Sequence, residues 1–521
     1  MLNRIKNHKW AVLLAFLSAI IVAFPQFYFP CDHSEAYRGI YIATTDNEHG
    51  YLSRVQEVRD GHPSLGSVFL KDGKDDPYIQ PPLSEILVAY LGKMFFLDLN
   101  NTILLARFLF AFLVFLVVYG FVFFISKEKL IALAASSAVC LANSLISPRG
   151  IFALLQGEPP GTTFLTLYRP VQPQVSFLFF FGFLLFFWLF FDALIKLNIK
   201  KLWIWGAVST LILGLSFYIY PYTWTFLYAF LGVFFLILIF QKKWQDAKRT
   251  LYVVFGGIII SIPYFLNTYE ASLHPHFWEI IIRFRYIVTR QPIFGFLVPS
   301  LFVIFLVLFP KKWKSQFIFS LALLIAPFIV LNQQLITGRV LSIGHYHWYF
   351  HQPLAIIFLI IILLYQTKLW QDKLKLFKSI SVSKILAFLI IGVSIYTGIV
   401  IQISSYQASE NKILSEQRYA PVVEWLNVNA EKEEVVLAAS ELPSILSIYT
   451  FLNQFSPDYH YLSASNERIL NSLFLFYRLD GVKGEEAKDL FLQEEERKYI
   501  SGSVYNTCLL YTSDAADELD G

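Results

Sequence analysis

Cysteine and charged residues are scarce in this sequence of 521 residues, of which only 15% are charged. The three cysteines, at positions 31, 140 and 508, are far apart, so the sequence has neither a disulfide framework nor the paired spacing of a cysteine metal site. It also lacks a Walker loop and a Gly-x-Gly-x-x-Gly segment after a strand, which argues against direct use of ATP or a dinucleotide. A net charge of only +4 argues against nucleic acid as a partner.

What the sequence has instead is apolar mass in long uninterrupted runs. Hydrophobic residues make up 56% of the chain. Runs long enough to cross roughly 30 Å of hydrocarbon lie near 10–29, 101–126, 130–147, 171–195, 202–220, 222–241, 250–266, 292–310, 315–332, 353–367 and 385–403. Lipid offers free backbone groups no hydrogen-bond partner, so these runs are expected to be helices. The sequence therefore predicts an all-α polytopic membrane protein with about 11 transmembrane helices.

Lysine and arginine predict how these helices are oriented. Short basic connections lie at 1–9, 127–129, 196–201, 242–249, 311–314 and 368–384. The positive-inside rule assigns such connections to the cytoplasm. The longer connections between them are richer in acids, aromatics and histidine, and they then face outward. We therefore expect a multi-pass protein of the plasma membrane with a cytoplasmic N-terminus and an extracytoplasmic C-terminal domain.

The predicted helices divide the chain into a transmembrane module at 1–403 and a soluble extracytoplasmic domain at 404–507. The first outer loop, at 30–100, is the longest, and its short apolar segment 83–97 indicates a helix lying on the membrane surface. In the C-terminal domain, 433–437 and 442–452 indicate a strand and then a helix, hence a small α/β domain. Residues 508–521 resemble translated sequencing-adapter sequence, so we expect a non-native tail on a truncated domain.

Two carboxylates, Asp46 and Glu48, stand near the beginning of the first outer loop, just after the first helix. A sugar transfer needs a carboxylate that takes the proton of the acceptor hydroxyl, or that holds the acceptor or a metal ion. The alternative is that both are solvated loop charges, because two acids at this spacing are common. Spacing alone does not decide between the two interpretations.

The order of motifs around these acids resembles the first outer loop of the GT-C glycosyltransferases, especially the protein O-mannosyltransferase and aminoarabinose transferase group. After the acids come Tyr51, a helix reading SRVQEVRDG, the segment Gln80-Pro81-Pro82-Leu83, and Ala106-Arg107 near the start of the second long helix. In that group the acids are adjacent and a lysine replaces Gln80, so either Asp46 or Glu48 matches the essential acid. The resemblance covers about residues 10–125, and the later helices match in hydropathy and number.

This resemblance implies a GT-C-like fold and a polyprenyl-phosphate-linked sugar donor, used at the outer face of the membrane while the lipid phosphate leaves. Arginine binds phosphate through a bidentate fork, so Arg169 and Arg339, which lie beside outer helix ends, are our candidates for binding the donor phosphate. For either arginine the alternative is snorkelling to lipid phosphate. Amides bind hydroxyls and aromatic rings stack on sugars, which adds four donor-binding candidates: Gln333, Gln334, His345 and Tyr346.

The loop at 332–352 also contains histidines at 345, 347 and 351. On an extended segment the first two would point the same way, and all three could then hold a metal ion. The sequence requires no cofactor, although a divalent metal ion is compatible with the acids of the first loop. The expected partners are membrane lipid, the lipid-linked donor, and an acceptor glycan, lipid or protein.

Two other functions fit a protein with many membrane helices. A transporter or flippase of lipid-linked glycans would keep ionisable residues in mid-membrane and would show inverted repeats. Here the middle of each run is nearly free of charge, and polar residues gather in the outer loops. A receptor or scaffold would not depend on Asp46 or Glu48. We expect a catalytic cleft between the first outer loop and the loops at 147–170 and 332–352.

Overall fold

The computed structural model describes residues 7–41, 46–161, 163–283, 287–374, 381–438, 442–455, 464–479, 481–484 and 486. Helices α1 to α11 are Lys9–Asp32, Asp46–Asp60, Leu83–Met94, Leu99–Ser126, Lys129–Leu141, Pro148–Leu155, Val175–Ile195, Ile199–Leu215, Pro221–Phe240, Trp244–Ile260 and Ile262–Ser272. Helices α12 to α21 are Phe277–Arg283, Leu297–Leu308, Lys314–Leu331, Gln334–Thr337, Ile343–Tyr346, Gln352–Leu374, Val382–Glu416, Ala420–Asn429, Leu442–Tyr449 and Asn466–Leu479. Four strands of two residues, β1 to β4, are Ile287–Val288, Arg339–Val340, Val435–Val436 and Asn453–Gln454.

The membrane helices are where the apolar runs predict them. Eight helical segments of the described residues are long and apolar enough to cross a membrane, or nine if α10 and α11, which meet at a bend of 46°, form one span. Two shorter apolar helices, α5 with 13 residues and α13 with 12, occupy the remaining predicted positions. A helix of 13 residues is only roughly 20 Å long. The all-α polytopic membrane fold is confirmed, and crossing by the two short helices stays a prediction.

Aromatic side chains fill the space between the central helices. The ring of Phe180 in α7 lies 5.2 Å from that of Phe226 in α9 and 4.8 Å from that of Phe350. Phe319 in α14 meets Trp188 in α7 edge to face at 5.2 Å. Aromatic rings prefer such edge-to-face contacts, which add to the gain from close packing. These buried rings fix α7, α9 and α14 beside the segment that carries residues 343–351.

Residues 30–100, the predicted first outer loop, are built on a buried ion pair between α2 and α3. The side of the membrane on which they lie stays a prediction. Arg54 donates to the carboxylate of Glu85 over 2.6 Å, and a second nitrogen of its guanidinium donates to the backbone oxygen of Gln80 over 3.0 Å. The segment that leads into α3 is thereby held against α2. The helix predicted at 83–97 is present as α3, and its Gly92 lies against Thr102 of α4.

The last membrane helix, α18, is unusually long. It has 35 residues, which is roughly 52 Å and more than the roughly 30 Å of the hydrocarbon core. Its end therefore extends beyond the predicted boundary at 403. Just after it, the side chain of Gln417 accepts hydrogen bonds from the backbone of Arg38 and Ile40 and donates one back to Ile40. The start of the first outer loop thus follows the projecting part of α18.

The C-terminal region lies on the first outer loop. The predicted strand and helix are present as β3 and α20, and β3 pairs in parallel with β4, while β1 and β2 pair antiparallel. The hydroxyl of Tyr449 donates to the side chain of Asn100 over 3.0 Å, and the backbone of Gln454 donates to that of Phe69 over 2.7 Å. The predicted tail at 508–521 lies outside the described residues.

Candidate functional site

A buried arginine, Arg107 of α4, organises the end of the helix bundle at which residues 30–100 lie. Its guanidinium donates to the carboxylate of Glu48 in α2 over 2.6 Å and to the side-chain oxygen of Gln26 in α1 over 3.2 Å. The guanidinium carbon lies 3.4 Å from the ring centre of Tyr168 and 5.1 Å from that of Tyr41. Arg107 is 0% exposed and Glu48 1% exposed. Arg107 with its partners Glu48 and Gln26 therefore joins three helices in a site shielded from water.

Local sequence explains why Arg107 occupies this position. The side chain of Asp98 accepts a hydrogen bond from the backbone of Asn101 over 2.8 Å and so caps the N-terminus of α4. Arg107 follows about two and a half turns later, on the face of α4 that also buries Ile103 and Phe110. Gln174 then donates to the backbone oxygen of Arg107 over 3.1 Å. The segment before α7 is thereby tied to the same turn of α4.

A second arginine, Arg169, lies in a partly exposed group formed by several segments at the same end of the bundle. Its guanidinium donates to the hydroxyl of Tyr349 over 3.0 Å and lies 5.9 Å from the ring centre of Tyr51 in α2. Burial lowers the pKa of Arg169, but the oxygens of Tyr349, Tyr51 and Glu48 outweigh this and raise it above its ordinary value. The cation is therefore retained in an aromatic and hydroxyl-rich setting.

His345 completes this group from the loop before α17. Its Nδ1 shares a hydrogen bond with the hydroxyl of Tyr220, and the two rings stack with centres 5.9 Å apart. The ring of His345 also lies 5.8 Å from that of Tyr349, the partner of Arg169. We call Tyr51, Arg169, Tyr220, His345 and Tyr349 the arginine–tyrosine cluster. It brings together side chains from the three segments that form the predicted cleft, and Tyr220 joins them from the turn between α8 and α9.

The two predicted acids differ in what can be said of them. Glu48 faces inward onto Arg107, whereas Asp46 begins α2 and its side chain lies outside the described residues. A helical pattern could have indicated the direction of Glu48, because Glu48, Leu52 and Val55 share one face of α2 and all three are buried. The periodicity of α2 extends upstream to the acid, which marks it as a core position.

Arg339, Gln333 and Gln334 occupy a neighbouring part of the outer loops. The guanidinium carbon of Arg339 lies 5.2 Å from the ring centre of Trp278. Gln333 donates to the backbone oxygen of Arg339 over 2.6 Å, and the buried Gln334 donates to that of Gln291 over 3.0 Å. In this structure both amides bind backbone and shape the turn that leads into β2.

The histidine segment is helical, so the extended conformation expected from sequence is wrong. Residues 343–372 form one continuous helical segment, because its apolar part continues without a break into α17. Tyr346 points into the bundle, where its hydroxyl lies 2.7 Å from that of Thr225. His347 contacts the side chain of Gln352 over 3.1 Å, and His351 is buried. The three histidines therefore point in different directions.

Two members of these groups went unnoticed in the sequence, and each has a recognisable signal. Tyr220 belongs to the aromatic string Tyr218-Ile219-Tyr220-Pro221-Tyr222 at the turn between α8 and α9. Gln26 is a buried amide inside an otherwise apolar first helix. Polar groups within apolar helices are costly unless paired, which predicts a partner such as Arg107.

Among the described residues, one group of three side chains has the spacing of metal ligands: Asp32, His33 and Glu410. It lies where the C-terminal end of α1 meets the C-terminal part of α18. The carboxylate of Glu48 is already paired with the guanidinium of Arg107 and is therefore not placed to bind a metal ion. The described residues around the arginine–tyrosine cluster thus do not fit a metal ion.

Comparison with known proteins gives a fold. No protein-family model matches the chain, and no curated protein matches it. The solved oligosaccharyltransferase of Archaeoglobus fulgidus tethered with an acceptor peptide containing the NVT sequon matches over 87% of this chain and 64% of its own, with 12% identity and a TM-score of 0.51. ArnT from Cupriavidus metallidurans bound to undecaprenyl phosphate matches over 87% of both chains, with 11% identity and a TM-score of 0.46.

The architecture is therefore that of a polytopic membrane protein with the GT-C fold, as the sequence resemblance predicted. The chain spans less than two thirds of the length of the archaeal oligosaccharyltransferase. At such low identity the likeness concerns the fold alone, and function has to be argued from the residues of the site.

Proposed function

We propose that this protein transfers a sugar from a polyprenyl-phosphate-linked donor to an acceptor at the outer face of the plasma membrane. The observation that carries the proposal is the position of Arg169. Arg169 keeps its positive charge at the end of a membrane bundle. Its partners, Tyr349 and Tyr51, come from two other segments at that end. The lipid tail of the donor favours the bilayer, and its phosphate favours a cation at headgroup depth.

The arginine–tyrosine cluster suits the head group of such a donor. A guanidinium binds phosphate through two parallel hydrogen bonds, and the guanidinium of Arg169 makes one described hydrogen bond, to Tyr349. The half-buried ring of Tyr51 offers a face for a sugar, and the hydroxyl of Tyr349 offers a hydrogen bond to it, while the buried Tyr220 positions His345. Arg339, with Gln333 and Gln334, remains our proposal for a second donor contact, and Tyr346 supports the cluster from within the bundle.

The acceptor requires a base, and we assign that role to Asp46. The carboxylate of Glu48 is buried and is held by the guanidinium of Arg107 at 2.6 Å. It is engaged inside the bundle, so we assign it to positioning. It holds the first turn of α2, on which Asp46 stands two residues earlier, against α4.

The reaction then involves one bond made and one broken. The acceptor oxygen bonds to the anomeric carbon of the sugar while the bond from that carbon to the phosphate oxygen breaks. The acceptor proton passes to Asp46, and the polyprenyl phosphate leaves with its negative charge stabilised by Arg169. Preorganised cations that face developing charge are worth about 3–4 kcal/mol in enzymes, or a factor of about 100–1,000 in rate.

The test uses the full chain purified in detergent and a panel of radiolabelled polyprenyl-phosphate sugars. Release of free polyprenyl phosphate is compared for the wild type, Arg169→Gln and Asp46→Asn. We expect release by the wild type with at least one donor, and a loss of about 100-fold or more in each variant. Arg339→Gln is measured beside them to test the second contact.

Arg418→Gln is the matched control, because Arg418 is an exposed arginine that contacts its neighbour Tyr419. It should release polyprenyl phosphate like the wild type. Size-exclusion profiles establish that each variant is folded. No release by the wild type with any donor, or equal release by folded Arg169→Gln and Asp46→Asn, would overturn the proposal.

A further inference from the structure

The outer ends of the first and last membrane helices meet through three side chains. Asp32 is the last residue of α1, His33 follows it, and Glu410 lies in the projecting part of α18. The Nε2 atom of His33 lies 2.8 Å from a carboxylate oxygen of Glu410 and 3.5 Å from one of Asp32. One imidazole nitrogen therefore faces two carboxylates that come from different helices.

These separations match those between ligands of a small divalent ion. Zinc binds imidazole nitrogen and carboxylate oxygen at about 2.0–2.2 Å, so two ligands at a tetrahedral angle are about 3.3 Å apart. The distances of 2.8 and 3.5 Å lie on either side of that value, and the three ligand atoms are all within 4.8 Å of one another. Small side-chain rotations are enough to place an ion between them.

The charges at this position also favour a cation. Two carboxylates face one imidazole, so the group keeps a net negative charge even when His33 is protonated. Within the described residues, no lysine or arginine pairs with Asp32 or Glu410. A divalent ion would neutralise both acids and would also allow His33 to remain neutral, the form in which it binds metals.

The surroundings include a supporting contact and a route for entry. The hydroxyl of Tyr406, one helical turn before Glu410, donates to the carboxylate of Asp32 over 2.9 Å. Groups that hydrogen-bond to a metal ligand in this way orient it toward the ion. The side chains of Asp32 and Glu410 are each 34% exposed and that of His33 is 22% exposed. An ion could therefore arrive from the aqueous side and keep a water molecule as a further ligand.

We propose that Asp32, His33 and Glu410 form a binding site for a divalent transition metal, with Zn²⁺ as the best fit. The imidazole ligand disfavours Mg²⁺ and Ca²⁺, which prefer oxygen ligands throughout. The ion joins the end of α1 to α18 and fixes the point at which the first outer loop leaves the membrane. Gln26, the partner of Arg107, lies about six residues or roughly 9 Å before it in the same helix.

The experiment uses the full chain without a polyhistidine tag, purified in detergent and stripped with EDTA. Co²⁺ is titrated in and followed by its visible absorption, and Zn²⁺ is then added as a competitor. We expect one Co²⁺ per chain, displacement by Zn²⁺, and a higher thermal midpoint with metal bound. Loss of an outer partner costs about 10–100-fold in metal affinity, so Tyr406→Phe should fall in that range. Loss of a direct ligand in His33→Asn or Glu410→Gln should cost more.

His62→Asn is the matched control. His62 pairs with Glu433 at 3.4 Å and lies near Asp60 and Glu57, but among the described residues it belongs to no group of three side chains with ligand spacing. This variant should bind Co²⁺ like the wild type. If the wild type binds no Co²⁺, or if folded His33→Asn and Glu410→Gln both bind it as well as His62→Asn does, the three side chains form only a hydrogen-bonded contact and the proposal is wrong.

Discussion

The guanidinium of Arg107 and the carboxylate of Glu48 form an ion pair of 2.6 Å that is almost completely withdrawn from solvent. Withdrawing two charges from water costs about as much as their attraction returns, so such a pair adds little net stability. Removing one partner, however, leaves a buried charge without compensation. The ion pair therefore acts mainly by fixing the register between α2 and α4, because only one way of docking the two helices brings the two charges together.

Glu48→Gln should destabilise the protein by about 3–5 kcal/mol, since it leaves the Arg107 cation buried with only neutral partners. The measurement is the thermal midpoint of the purified protein in detergent, followed by tryptophan fluorescence. Glu158→Gln is the control, because Glu158 is exposed and should change the midpoint little. Equal midpoints for the two variants would mean that the buried pair does not fix α2.

Tyr349→Phe should weaken sugar transfer without unfolding the protein. It keeps the ring that packs near His345 and removes the hydroxyl that accepts from Arg169. A hydrogen bond to a charged group is worth about 1.5–3 kcal/mol, so a drop of about tenfold or more in donor turnover is expected. Because Arg169 is then less well oriented, the Michaelis constant for the donor should rise. Tyr396→Phe is the control, because Tyr396 is exposed on α18. It should leave the donor turnover and the Michaelis constant for the donor unchanged.

The parts of the fold that depend on local sequence could be predicted, and those that depend on long-range docking could not. Each apolar run coincides with a helix. A run of that composition lies in lipid, where only a helix satisfies the hydrogen bonds of its own backbone. The loops at 147–170 and 332–352 were also selected correctly as neighbours of the first outer loop: Arg169, Tyr51 and Tyr349 meet.

The direction in which individual side chains point is harder to predict from the sequence. In sequence His345 and His347 alternate as in an extended segment, but residues 343–351 are helical and continue into α17, so the two side chains are rotated apart. The contact between His33 and Glu410, 377 residues apart in the chain, has no local sequence signal at all. Such a contact follows from the docking of α1 on α18, which a single sequence does not encode at short range.

Tyr449→Phe should loosen the C-terminal region from the first outer loop. The hydroxyl of Tyr449 donates to Asn100 over 3.0 Å and accepts from the backbone of Tyr41, so its loss leaves a backbone donor unsatisfied. An unsatisfied buried donor costs about 1–3 kcal/mol. Hydrogen exchange should therefore become faster at Tyr41 and in α20, with α7 unchanged. Tyr419→Phe, which removes a hydroxyl bonded to the exposed Arg418, should leave exchange at Tyr41 as in the wild type.

Glu57 should make part of the stability of the protein depend on pH. Burial raises the pKa of Glu57 above its ordinary value of 4.5, although Lys74 at 2.7 Å lowers it in part. The folded state thus binds the proton more tightly than the unfolded state, so this stability is present below pH 4.5 and is lost as the pH rises through the folded pKa. Relative to Glu57→Gln, the thermal midpoint of the wild type should fall as the pH rises above 4.5. Parallel curves for the two proteins would contradict the assignment.

Gly214→Ala should separate two membrane helices that depend on close backbone approach. A Cβ atom at Gly214 of α8 would lie 2.5 Å from Ile260 and 3.1 Å from the backbone oxygen of Gly257, both in α10. Small residues permit such contacts between membrane helices, and overpacking costs about 1–3 kcal/mol. Gly232→Ala is the matched control, because a Cβ atom there meets nothing within 4 Å and alanine is the better helix former by about 1 kcal/mol. The thermal midpoint should therefore fall for Gly214→Ala and stay level or rise for Gly232→Ala. If both variants rise together, α8 and α10 are far enough apart to accept a methyl group, and the glycine at 214 is not what sets their spacing.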